Sequence, residues 1–154
     1  GVGEQLRISA EVKNIPVEGN IIIVPVAGVT RVVENTLNYA KSLSAQQIIA
    51  VYVSFDREEE KKFVQKWKEW QPDIRLVSFH SQYRSLIQPL TKFVDIVEHK
   101  ASESNYQVTV MIPQFIPKKG WHNILHNQSS LLIRAFLLYK RNVVITTVPY
   151  HLIK

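Results

Sequence analysis

Apolar positions along this chain fall into two alternating patterns, short unbroken runs and stripes at helical spacing. Asn20-Ile21-Ile22-Ile23-Val24-Pro25-Val26 is the first run and predicts a strand buried on both faces. Val32, Val33, Leu37, Ala40 and Leu43 then recur at helical spacing, with Thr30 placed to cap the helix. Ile48 to Val53 predicts a second buried strand. Asp56-Arg57-Glu58-Glu59 opens a second helix, in which Asp56 caps, Glu59 completes a capping box and the acidic first turn suits the helix dipole. Phe63, Val64, Trp67 and Trp70 form its inner stripe and Pro72 ends it. At that spacing the tryptophans read as core rather than as stacking platforms.

Ile74–His80 predicts a third strand, and the polar interruptions at Arg75 and Ser78 suit an edge position. Arg84 to about Ser102 reads as a helix around Leu86, Leu90, Phe93, Val94 and Val97, with Pro89 either kinking it or sitting in its first turn. A fourth strand, Val108–Ile112, ends at Pro113; residues 123–140 follow as a fourth helix and Val143–Val148 as a fifth strand. This alternation predicts an α/β fold: an open five-stranded parallel sheet with right-handed crossovers and helices on both faces. Residues 1–19, with Pro16 and Gly19, are expected to be a connector, and residues 20–154 the domain.

Composition narrows the function less than the fold. The 154 residues are 45% apolar, enough for one domain with a substantial core. A net charge of +6 favours an anionic partner without choosing between nucleotide, nucleic acid and acidic membrane surface. The absence of cysteine excludes disulfides, thiolate metal sites and a cysteine nucleophile. No apolar run approaches the ~18 residues of a membrane span, and the first residues lack a signal-peptide core. The only methionine, Met111, lies inside a strand, so the chain is expected to be a piece of a longer protein.

In a sheet of this kind, ligands bind beyond the carboxyl ends of the strands, where the winding reverses. The positions there are Ala27-Gly28-Val29-Thr30-Arg31, Ser54-Phe55, His80 to Arg84, and Pro113 to His122. Gly28 permits a tight turn, and Thr30 and Arg31 offer phosphate a hydroxyl and a guanidinium fork. A cation at a helix start opposes the dipole, so Arg31 calls for a reason to be there. Lys118-Lys119-Gly120 brings charge and close backbone approach to an anion. Asn127-Gln128-Ser129-Ser130 disfavours a helix interior and suits a cap or polar site. His122 and His126 stand four apart, but Asn123 occupies the place of the glutamate that a metalloprotease helix requires, and no acidic third ligand lies nearby. No Gly-x-Ser-x-Gly elbow and no Walker Gly-Lys-Ser/Thr element occurs. A binding domain is expected rather than an enzyme, with no metal, no cofactor and no nucleic-acid partner.

The strand–loop–helix order resembles the universal stress protein family, whose ATP-binding members carry Gly-x2-Gly-x9-Gly-Ser/Thr after strand four. Here Pro117 stands at the first glycine, Gly120 at the second, and Ser130, after nine intervening residues, at the third. The resemblance implies strand order 3-2-1-4-5, while the two missing glycines argue against ordinary ATP binding. A closer resemblance, from about Ile21 onward, is to KimA-like potassium importers of the KUP group within the APC superfamily. It rests on Ile22-Ile23-Val24-Pro25-Val26-Ala27-Gly28, Val33-Glu34-Asn35, Leu37 to Ser44, Tyr83-Arg84-Ser85, Lys100 to Tyr106 and Ile112 to Asn123. It implies a dimeric domain on the cytoplasmic face of the cell membrane, tethered through residues 1–19 to the membrane part of a proton-coupled importer and controlled by cyclic di-AMP.

The expected ligand contacts are Ala27, Gly28, Thr30 and Arg31, then Arg84, then Gln114, Phe115, Lys118, His122, Gln128, Ser129 and Ser130. Dimers of this type often pair through the last strand, which implies an interface at Val143, Val144, Ile145, Thr146, Thr147 and Val148. Two other readings stay open: a dimerisation module whose ligand site lies elsewhere in the importer, and an ATP- or ADP-binding sensor.

Overall fold

The structure is a computed structural model and describes residues 18–70, 72–81, 87–116 and 143–151. Five strands, β1 (Gly19–Val26), β2 (Gln47–Ser54), β3 (Arg75–His80), β4 (Tyr106–Ile116) and β5 (Val143–His151), form one sheet in the order β3-β2-β1-β4-β5. All four pairings are parallel. The helices α1 (Arg31–Ser42), α2 (Arg57–Trp70) and α3 (Ile87–Ser102) connect them. The expected sheet, its order and its helices on both faces are all present, and β3 is an edge strand as its polar interruptions predict. Pro89 sits in the first turn of α3, where its missing N–H costs no helix bond. The expected helix at 123–140 lies outside the described residues, as do residues 1–17 of the connector; Gly19 itself opens β1.

The unbroken runs are explained by a sheet covered on both sides. Along β1, Ile22, Val24 and Val26 face α1 and α2, packing with Val33, Leu37 and Ala40 and with Phe63 and Trp67. Ile21 and Ile23 face α3 and pack with Leu90, Val94, Val97 and Ala101. A strand that must be apolar on both faces cannot show alternation. Trp67 is core: its ring is buried and its Nε1 donates to the Ile74 carbonyl at 3.2 Å.

Aromatic packing joins α2 to the sheet. Tyr52 stacks on Phe63 at 3.9 Å between ring centroids, Phe63 meets Trp67 at 5.8 Å, and Trp70 meets Trp67 edge-on at 5.3 Å. Burial first, then the carboxylates of Glu59, Glu60 and Asp56, raise the Tyr52 hydroxyl above its ordinary pKa. The folded state therefore holds a proton that the unfolded chain releases. That contribution to stability is complete below the unfolded tyrosine pKa of ~10 and is lost as pH rises above it. Urea unfolding midpoints of the wild type should fall between about pH 9 and about pH 11 more steeply than those of Tyr52→Phe. Parallel curves for the two proteins would remove this role from Tyr52.

Candidate functional site

The winding reverses between β1 and β4, and the two strands part there. Their pairing runs from Gly19–Tyr106 only to Ile23–Val110. β1 continues to Val26 and remains paired with β2, while β4 continues to Ile116 paired with β5. Each freed stretch contains a proline, Pro25 in β1 and Pro113 in β4, and neither has an N–H to give. Proline is tolerated where a strand is paired on one side only. Extending the β1–β4 register puts Pro113 level with Val26, so β4 and β5 project three residues, ~10 Å, past the end of β1.

That correction bears directly on the site. Pro113 does not end the fourth strand; Gln114 and Phe115 are strand residues, registered with Pro149 and Tyr150 of β5. The end of β4 thus runs past the β1–α1 turn, at the position where sheets of this kind hold ligands in a crevice.

The turn is built from Ala27, Gly28, Val29 and Thr30. Thr30 caps α1, its Oγ1 accepting the Val33 N–H at 3.3 Å and its carbonyl the Glu34 N–H at 2.9 Å. Capping uses an acceptor lone pair and leaves the hydroxyl proton of Thr30 to a ligand. Arg31 is exposed at the first position of α1, and Ala27 is exposed beside it. The expected need for glycine at position 28 is not met: the backbone is not left-handed there, and an added Cβ would touch only Thr30 Cγ2 at 3.6 Å. Gly28 leaves open space over the turn rather than enabling it.

The neighbouring strands complete the carboxyl-end pole. Asp56 caps α2 through its Oδ1, which accepts the Glu58 N–H at 2.8 Å. Phe55 is exposed beside it, and the Ser81 N–H donates to the Ser54 carbonyl at 2.8 Å. His80 ends β3 with a buried Nδ1 that has no hydrogen-bond partner among the described residues. A buried unpaired ring nitrogen costs about 1–3 kcal/mol, and the strand ending at this pole was its only sequence signal. Among the described residues no three histidine or acidic side chains converge to hold a metal ion.

The structure therefore brings Ala27, Gly28, Thr30 and Arg31 to one side of the crevice and the backbone of Gln114 and Phe115 to the other. Arg84, Lys118, His122, Gln128, Ser129 and Ser130 lie outside the described residues. Val143 to Val148 lie in β5 at the sheet edge, with Val144 exposed and the others half-buried. The two prolines were the signal missed by reading each run on its own.

If the prolines hold the crevice open, Pro25→Val with Pro113→Val should let the β1–β4 ladder lengthen. Hydrogen exchange would then show newly protected amides at positions 25 and 113, within a chain at least as stable as the wild type. Exchange there as fast as in a solvent-exposed turn would show that something else separates the strands.

The KimA potassium transporter C-terminal domain family matches this chain over residues 18–150. Potassium transporter KimA of Bacillus subtilis (strain 168) is 53% identical to it over 150 residues, which are 97% of the chain and 24% of that protein. The chain thus spans about a quarter of the length of this relative.

Proposed function

The chain belongs to the KimA potassium transporter C-terminal domain family, and we propose that it is the non-enzymatic regulatory domain of a proton-coupled potassium importer, inhibiting transport when it binds cyclic di-AMP. Among its described residues no helix is long and apolar enough to cross a membrane, which suits a domain carried on the cytoplasmic face by the membrane part of the same polypeptide. The observation that carries the ligand reading is the crevice itself. An exposed guanidinium at Arg31, the spare Thr30 hydroxyl and the α1 amino terminus meet at a parted pair of strands.

A phosphodiester suits those groups. The helix start supplies a positive dipole end, Arg31 a bidentate fork, and Gly28 room for close approach. Cyclic di-AMP carries two phosphates and two adenines related by a two-fold axis, so a site shared by two copies matches its symmetry. β5 at the sheet edge, with Val144 exposed, is where a second copy covers the sheet. Inhibition further requires that the ligand bind one transport state more tightly than the other.

Calorimetric titration of Arg31→Ala and Arg84→Ala with cyclic di-AMP tests the contacts. Each loses a charge-assisted hydrogen bond, so affinity should fall about tenfold or more in each, with the unfolding midpoint unchanged. Sedimentation of the same samples should report a dimer. Unchanged affinity in both variants, or a monomer that binds one ligand per chain, would contradict the site described here.

A further inference from the structure

A second surface lies at the opposite pole. All five strands are parallel, so one pole gathers strand starts and helix ends. There, at the turn from α2 to β3, an open groove of about 720 Å³ is lined by Trp67, Lys68, Pro72, Asp73, Ile74 and Arg75. Lys68 and Arg75 are exposed, and neither has an ion-pair partner among the described residues. Trp70 stands half-buried at the same end of α2.

Charge along this segment is segregated. Asp56, Glu58, Glu59 and Glu60 lie toward the carboxyl-end pole, whereas Lys61 to Arg75 holds five cations against two carboxylates, Glu69 and Asp73. The helix dipole accounts for Lys68 in the last turn of α2. It does not account for Arg75, which opens a strand, or for Lys62 in mid-helix, whereas Lys61 pairs with Glu58 at 3.7 Å. The chain also enters the sheet at this pole: the Glu18 N–H donates to the Asn105 carbonyl at 2.9 Å, and β1 begins at the next residue.

We propose that this basic, tryptophan-flanked groove contacts the anionic phospholipid headgroups of the membrane that holds the rest of the transporter. The inference rests on the reading of the chain as a domain of such a transporter, and it adds a surface which that reading does not assign. Lys68 and Arg75 meet headgroup phosphate. Half-buried Trp70, packed edge-on against the lining Trp67, suits the interfacial layer. Asp73, in a left-handed turn at φ 58°, and Glu69 subtract from that field, so the contact is weak and depends on both groove cations. Salt screens it.

Vesicle sedimentation of the 154-residue chain tests this. The chain should pellet with phosphatidylcholine vesicles containing about 30% phosphatidylglycerol, and not with phosphatidylcholine alone. Lys68→Glu with Arg75→Glu should lower the vesicle partition coefficient at least about tenfold. Arg57→Glu with Lys92→Glu, an equal charge change at exposed sites away from the groove, should lower it less than about threefold. Failure of the wild type to pellet, or equal losses in the two double variants, would overturn the proposal. Cyclic di-AMP binding, measured on the same samples, reports the regulatory reading separately.

Discussion

The parting of β1 from β4 is the constraint on which the candidate site depends. A parallel sheet is held by its ladders, and a central strand normally keeps both of them to its end. Here β1 keeps the ladder to β2 through Val26 but loses the ladder to β4 after Ile23. Pro25 and Pro113 fall in the two freed stretches, where a missing donor disrupts least. The winding also reverses at this point, which is where sheets of this kind bind ligands. β4 and β5 remain paired and project beyond it.

The rest of the fold holds that opening still. Ile22, Val24 and Val26 are clamped from one side by α1 and α2, and Ile21 and Ile23 from the other by α3. Fully burying an aliphatic side chain of this size contributes about 1.5–3 kcal/mol, so β1 is fixed where its ladder to β4 has gone. The same arrangement divides charge between the poles. The α1 start carries Arg31, exposed and beside the crevice, while the α2 start carries Asp56 and three glutamates. An anion approaching the carboxyl-end pole is therefore directed to β1 and away from β2.

Fold and site were legible in the sequence to different degrees, for physical reasons. Unbroken runs such as Ile21 to Val24 carry a strong signal because burial on both faces admits no polar residue, and strand–helix alternation then leaves few topologies. Thr30 was readable as a cap because capping is local chemistry, three residues in reach. The length of β4 was not readable. Pro113 ends a strand paired on both sides but not one paired on one side, and which applies is decided by β1, far away in the chain. Gly28 was overread, since a glycine in a turn suggests a conformational need that this backbone does not have. That the buried Nδ1 of His80 has no partner among the described residues could not be foreseen at all, because burial of a single ring atom depends on tertiary packing.

The most direct measurement is calorimetric titration of the 154-residue chain with cyclic di-AMP, with ATP and ADP titrated in parallel. A site built at the parted strands and shared across a dimer predicts saturable heat from cyclic di-AMP, near one ligand per two chains, and much weaker heat from either mononucleotide. Absence of heat and of any thermal shift with cyclic di-AMP, or preferential binding of ATP or ADP, would contradict it.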